Sequence, residues 1–234
     1  VQLLEYVFSA AFVSAMLVTL ALTVLSMALG VLGGLLLALA GGSRFRVVRL
    51  LVHGYVWLFR GTPVLLQLIF VFNVLPLVGL RFDSFSCAII ALSLNEAAYM
   101  AEIIRGGLLA VDRGQRTASH MLGLTRFQTL RYVVLPQMVR LALPPTGNQL
   151  IGMLKTSALA SVVAVQDLLL VAQRTAAGNF DYVNTLLAAA VHYLLLTTLC
   201  TLLINAVENR LDVGRKSGRR QRRETRALAT AGGR

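Results

Sequence analysis

Asp112-Arg-Gly-Gln-Arg-Thr-Ala-Ser-His-Met-Leu-Gly-Leu-Thr-Arg-Phe-Gln-Thr-Leu-Arg-Tyr-Val-Val-Leu-Pro136 is a polar segment set between long apolar runs. It carries its own helix starts and stops. Asp112 with Gln115 predicts a capped and boxed first short helix. Gly123 is placed to end that helix in the left-handed conformation. Thr125 with Gln128 makes a second capping box, and Pro136 is expected to punctuate the far end. The pattern describes a membrane protein that builds a compact helix–turn–helix at one face, where it has something to touch.

The flanking sequence supports the membrane reading. Of 234 residues, 57% are hydrophobic, and the mean hydropathy is +0.74, too apolar for an ordinary soluble domain. Tyr6 to Ser43, Gly61 to Leu80 and Tyr182 to Val207 contain no Asp, Glu, Lys or Arg. Each meets the ~20 residues that carry a helix across a bilayer core. Five spans are expected in one all-α domain over residues 1–213. The first covers Phe12 to Ala40. The second runs from Arg46 to Val74, interrupted at Arg60-Gly-Thr-Pro63 and closed by Pro76 and Gly79. The third covers Phe85 to Leu109. The fourth begins near Gln137, bends at Pro144-Pro145 and continues past Lys155 to Leu170. The fifth covers Tyr182 to Arg210.

The net charge is +12, and its distribution decides its meaning. Arg44, Arg46 and Arg49 follow the first span; Arg105, Arg113, Arg116, Arg126, Arg131 and Arg140 surround the hairpin; a further basic cluster runs from Arg210 to Arg234. The other connections carry few basic residues and some acids. This positive-inside pattern puts the hairpin and the C-terminus in the cytoplasm and the N-terminus outside. Residues 214–234 read as a basic, disordered cytoplasmic tail that anchors topology or meets lipid headgroups. The first apolar run reads as a retained span rather than a cleaved leader. A helix–turn–helix with basic residues could suggest DNA binding, but the spans flank it too tightly to reach a groove, so no nucleic-acid partner is expected. Cys87 and Cys200 sit in apolar sequence without metal or redox spacing. No G-x-x-x-x-G-K-[ST] loop occurs, so the energy for any active transport comes from another polypeptide or an ion gradient.

Polar residues inside the spans mark candidate sites. A carboxylate at mid-span costs roughly 3 kcal/mol on insertion scales unless it faces a cavity or a partner. Glu96 is such a residue, and it reads equally as a cavity-facing group or a structural hydrogen-bonding one. Asn95, Tyr99 and Glu102 share one face of the third span. Arg60 and Glu102 are read as a buried structural ion pair, with Arg105 a competing partner. On the fourth span Gln149, Met153 and Thr156 follow i, i+4, i+7 spacing and offer an amide, a thioether and a hydroxyl. Lys155 reads as structural, snorkelling or neutralising helix carbonyls.

Phe59-Arg-Gly-Thr-Pro-Val-Leu-Leu-Gln67, Ala98-Tyr-Met-Ala-Glu-Ile-Ile-Arg-Gly106, Gly147-Asn-Gln-Leu-Ile-Gly-Met-Leu-Lys-Thr-Ser157 and the hairpin, in that family order, resemble permease subunits of bacterial ABC importers for polar amino acids of the histidine, arginine, glutamine and opine type. The resemblance covers about residues 8 to 213. It implies the binding-protein-dependent ABC permease fold: five transmembrane helices and a cytoplasmic coupling helix. Its place is the bacterial inner membrane, as a dimer with itself or a sister chain. The implied partners are an ATPase subunit dimer, a periplasmic amino-acid-binding protein, the lipid bilayer and an amino-acid substrate.

The family's coupling signature is Glu-Ala-Ala followed three residues later by Gly. Gly123 sets the register, so Thr117-Ala118-Ser119 stands at that position and the glutamate is absent. Thr117, Ala118, Ser119, Leu122, Gly123 and Leu124 are the expected ATPase-coupling residues. The literal Glu96-Ala-Ala98 is a decoy inside the third span. Substrate contacts are expected at Thr62, Gln67, Glu96, Tyr99, Gln149, Met153 and Thr156. Arginine importers of the family carry acids on the fourth span where Gln149 and Thr156 stand here, which weakens the case for a strongly cationic substrate; a neutral polar, acidic or opine-like amino acid fits as well, and a sister chain is another source of the acids. No catalytic residue, metal or bound cofactor is expected on this chain; ATP and Mg belong to the ATPase. The competing reading is a proton-coupled secondary transporter using Glu96 or Glu102.

Overall fold

A computed structural model of the chain describes residues 2–211; the basic tail expected at 214–234 lies outside the described residues. Ten α-helices follow one another, and no strand occurs among the described residues. They are α1 (Gln2–Phe8), α2 (Ala10–Gly41), α3 (Arg46–Gly61), α4 (Val64–Val74), α5 (Ser84–Ala110), α6 (Arg113–Met121), α7 (Arg126–Gln128), α8 (Leu135–Thr156), α9 (Leu168–Asn179) and α10 (Tyr182–Arg210). Short polar residues start the long ones. Ser9 accepts from the Phe12 N–H, Asp83 from Phe85 and Ser86, and Asp181 from Asn184, each satisfying N–H groups that the helix cannot.

The helices α2, α5 and α10 are each long and apolar enough to cross a membrane. Two bent pairs add to them. Arg46–Gly61 and Val64–Val78 meet at 103°, and Arg126–Val163 and Leu168–Asn179 at 50°. The expected count of five is reached when each bent pair is one crossing. Leu17, Leu32, Leu36, Leu194 and Leu203 are exposed on these helices, an apolar outside that suits lipid.

The α2–α5 contact organises the bundle through Gly30, Gly33 and Gly34. A Cβ on Gly33 would come within 2.9 Å of Ala97 Cβ, and one on Gly34 within 2.8 Å of the Ala101 backbone nitrogen. Small residues let the two backbones approach, as packing between membrane helices requires. Leu22, Leu68, Leu92 and Met153 close a shared core from α2, α4, α5 and α8.

The break at Arg60-Gly-Thr-Pro63 falls where expected. Two others do not. Helix α8 runs unbroken through Pro144 and Pro145. The prolines leave the carbonyls of residues 140 and 141 without their usual donors, and the Thr146 hydroxyl donates to the Ala142 carbonyl beside them at 2.8 Å. Burial against neighbouring helices keeps the segment helical. The fourth span instead breaks after Thr156, in a 3-10 turn over Ser157–Val163 that ends at Ala164 with φ +61°. Pro136 does not end the hairpin either. A π-helical turn, Thr129–Val134, joins α7 to α8, and the Leu135 N–H bonds back to Leu130. The wider turn shifts the hydrogen-bond register ahead of Pro136, so its missing N–H does not stop the helix.

Candidate functional site

Three elements converge on a cavity of about 500 Å³. The α3–α4 bend contributes Arg60, Gly61, Thr62, Pro63 and Val64; α5 contributes Leu92, Asn95, Glu96 and Tyr99; α8 contributes Gln149, Gly152, Met153 and Thr156. Six of the seven expected substrate-contact residues therefore line one space: Thr62, Glu96, Tyr99, Gln149, Met153 and Thr156. They come from sequence stretches nearly a hundred residues apart.

Gln67 is the exception. It is buried behind the bend. Its amide nitrogen reaches the Thr62 hydroxyl at 2.8 Å, the Phe59 carbonyl at 2.9 Å and the Thr62 carbonyl at 3.2 Å. Asn95 completes the clamp, donating to Phe59 O at 2.9 Å and to Gln67 Oε1 at 3.0 Å. Carbonyls freed by the Gly-Thr-Pro break need donors at membrane depth. Gln67 and Asn95 supply them and hold the bend open. Gln67 thus positions the cavity wall and is absent from its lining.

Glu96 is 1% exposed. Gln149 donates to its Oε2 at 3.1 Å, joining α5 to α8. Among the described residues its Oε1 has no partner. A buried carboxylate oxygen left unpaired is costly, and a ligand with a donor satisfies it. The Arg60 guanidinium lies over the Tyr99 ring, 5.2 Å from its centre.

The Arg60–Glu102 pair is not the buried bridge expected. The two side chains are 43% and 31% exposed and 3.6 Å apart, beyond hydrogen-bond range. Glu102 is instead gripped by Arg105 on its own helix, at 2.6 and 3.0 Å. An i, i+3 neighbour at the open end of a helix reaches its partner with less rearrangement than a side chain on another element.

The hairpin keeps most of its expected geometry. Asp112 caps α6 through the Gly114 N–H, without the box to Gln115. Gly123 has φ +77°. Its N–H bonds to the His120 carbonyl and that of Leu124 to Ser119, the paired bonds of a Schellman stop. Thr125 and Gln128 form the full capping box. Thr117, Ala118, Leu122 and Gly123 are exposed, and Leu124 is half-buried. Ser119 is turned inward, its hydroxyl donating to the Arg116 carbonyl. Sequence reasoning passed over two apolar side chains here: Met121 is 85% and Phe127 71% exposed, beside Leu122 at 81%. Exposed residues of this size on a polar hairpin mark a docking surface.

The model of the family described as binding-protein-dependent transport system inner membrane component matches residues 30–213. The chain belongs to that family. This permease is 42% identical over 211 residues to the arginine transport system permease protein ArgU of Corynebacterium glutamicum, over 83% of its own length and 66% of ArgU. It is 37% identical over 197 residues to the glutamine transport system permease protein GlnP of Escherichia coli, spanning 83% of the permease and 90% of GlnP. A crystal structure of an amino acid ABC transporter with histidines superposes with a TM-score of 0.81 at 38% identity, covering 86% of the permease and 94% of that chain. The MetNI methionine transporter, at 22% identity and a TM-score of 0.70, shares the fold. The permease is thus a multi-pass inner-membrane protein and not itself an ATPase.

Proposed function

We propose that the permease carries a polar amino acid through the cavity between the α3–α4 bend, α5 and α8. The observation that carries this reading is Glu96: a buried carboxylate in the cavity wall, bonded at one oxygen by Gln149 and, among the described residues, lacking a donor at the other. An amino acid's ammonium group is such a donor. The amide, thioether and hydroxyl of Gln149, Met153 and Thr156 suit a neutral polar side chain better than a strongly cationic one, because the only carboxylate lining the cavity is Glu96. Relatives named for glutamine, arginine and L-cystine transport agree with this substrate class.

The permease works as a dimer with itself or a sister chain, N-terminus periplasmic and C-terminus cytoplasmic. An ATPase dimer, which holds the ATP and Mg, docks on residues 112–136. Met121, Leu122 and Phe127 supply apolar contact there, and with Thr117 in place of the signature glutamate the contact at that position is non-ionic or borrowed from a sister subunit. A periplasmic binding protein delivers the substrate. Each partner favours one state of the cavity, as a driven switch requires. Against proton coupling, Glu102 is tied to Arg105 by two hydrogen bonds, and the chain's family is that of binding-protein-dependent transport systems.

The permease is reconstituted with its ATPase and binding protein, and uptake of a panel of labelled amino acids is measured. ATP-dependent uptake of a polar amino acid is expected. Uptake that needs no ATP and collapses with a protonophore sinks this reading.

A further inference from the structure

Arg60 occupies an unusual place. Besides lining the main cavity it lines a second one, of about 290 Å³, on the hairpin side, together with His53, Trp57, Glu102 and Arg105. It is the wall between them. Among the described residues its guanidinium donates no hydrogen bond; its nearest acid, Glu102, is 3.6 Å away and already holds two bonds from Arg105. An arginine with five N–H donors, over an aromatic ring and facing a polar cavity, with only a 3.6 Å ion pair to Glu102, has donors left for a second anion.

We propose that Arg60 binds the substrate's carboxylate, and that Arg105 enables this by occupying Glu102. Glu96, in the wall of the same cavity, takes the ammonium group and Arg60 the carboxylate, so the cavity recognises the zwitterion at both ends while Gln149, Met153 and Thr156 meet the side chain. Arg105 is then a positioning residue. Were it absent, the Glu102 carboxylate would be left to Arg60, with His53 beside them, and the 3.6 Å ion pair with Arg60 would close to hydrogen-bonding distance. Guanidinium and carboxylate fit bidentately, so the site selects a carboxylate over other anions of similar size. The proposal rests on the amino-acid reading above.

The test uses the purified permease–ATPase complex in detergent, without the binding protein, so that recognition by the cavity itself is read. Equilibrium binding is measured for L-glutamine against 4-aminobutanamide and for L-arginine against agmatine, pairs that differ only by the carboxylate. The intact complex is expected to prefer the better amino acid of the panel to its decarboxylated partner by roughly tenfold or more, the range of a lost charge-assisted hydrogen bond. Arg60→Gln should bring that ratio close to one while leaving the decarboxylated compound's affinity unchanged. Arg60→Lys should restore part of it. Glu102→Gln should leave it intact. Arg105→Gln, at an exposed position that the fold tolerates, should weaken amino-acid binding severalfold and spare the decarboxylated compound.

Retained preference in Arg60→Gln overturns the proposal. So does equal loss in Glu102→Gln, which would mean that the Arg60–Glu102 pair is only structural. Should Arg60→Gln fail to assemble, Arg105→Gln decides alone: unchanged preference overturns the proposal. An intact complex that binds none of the four compounds overturns the amino-acid reading itself, and does so before any variant is made.

Discussion

Gln149 on α8 donates a 3.1 Å hydrogen bond to one oxygen of Glu96 on α5, and the other oxygen of that carboxylate has no partner among the described residues. Two helices that meet across the cavity are thus joined by a bond that uses half of an acid. The acid sits in the wall of a cavity of about 500 Å³, with its unpaired oxygen shielded from solvent.

Gln149→Glu places a second carboxylate within reach of the first. Like charges at this distance need a cation between them. The preference of the purified complex should move toward L-arginine and away from L-glutamine by roughly tenfold or more, since selectivity is a difference between two affinities. An unchanged ratio in equilibrium binding argues that neither residue meets the substrate.

Gln67→Ala removes the amide that ties α4 to the Phe59 and Thr62 oxygens. Carbonyls at the bend lose a donor where water cannot replace it, a cost of order 1–3 kcal/mol. The melting temperature of the complex should fall by several degrees, at about 2–4 °C per kcal/mol for a chain of this size. Substrate affinity should weaken through the displaced Arg60–Pro63 wall. A thermal unfolding curve that overlays the wild type's disposes of the clamp.

Gly123→Val forces a β-branched residue into φ +77°, at about 1–2 kcal/mol of local cost. The hairpin must open or shift, so more ATP should be hydrolysed per amino acid moved. Gly123→Asn, which tolerates the left-handed region, should keep near-normal stoichiometry. Both are read by paired ATPase and uptake assays in proteoliposomes. Equal coupling in the valine variant contradicts the docking role.

Asp83 caps α5 from outside the span. The Ser86 hydroxyl at 2.6 Å, with the Ser86 and Phe85 N–H groups, holds its carboxyl below the usual carboxylate range. A folded-state pKa lowered in this way stabilises the protein fully above the unfolded value, and that contribution is lost as pH falls through the folded one. The melting-temperature gap between wild type and Asp83→Ala should therefore be constant near neutrality and shrink in acid below the ordinary Asp range. A gap that widens in acid has the wrong sign.

The long helices α2, α5 and α10 were legible because nothing but a membrane span explains apolar windows of that length. The bend at Arg60–Pro63 was legible because Gly, Thr and Pro together leave carbonyls unbonded. Proline misled at two other places. At Pro136 the π-helical turn shifts the register, and at Pro144-Pro145 the helix continues between Ala142 and Gly147, both buried. Neither compensation is written locally. The same holds for the site. Spacing placed Gln149, Met153 and Thr156 on one face, yet the Glu96–Gln149 bond joins residues 53 apart, and only packing reveals it. Gln67 was expected among the substrate contacts, whereas its amide turns back on the bend and away from the cavity lining. Ser119 was placed with the docking residues, although its hydroxyl folds onto its own helix.

The absence of a break between the hairpin and Thr156 has a mechanical meaning. From Leu135 to Thr156 the chain is a single helix, a rod of about 33 Å at 1.5 Å per residue. Its near end grows directly out of the segment that carries Met121 and Phe127; its far end holds Gln149, Met153 and Thr156. No loop lies between them to absorb a push. A tilt of about 10° at the near end carries the far end through about 6 Å on that length, more than enough to tear Gln149 from Glu96. The prolines, which leave two carbonyls without their usual donors, and the wider π turn are the places where such a lever can flex without snapping.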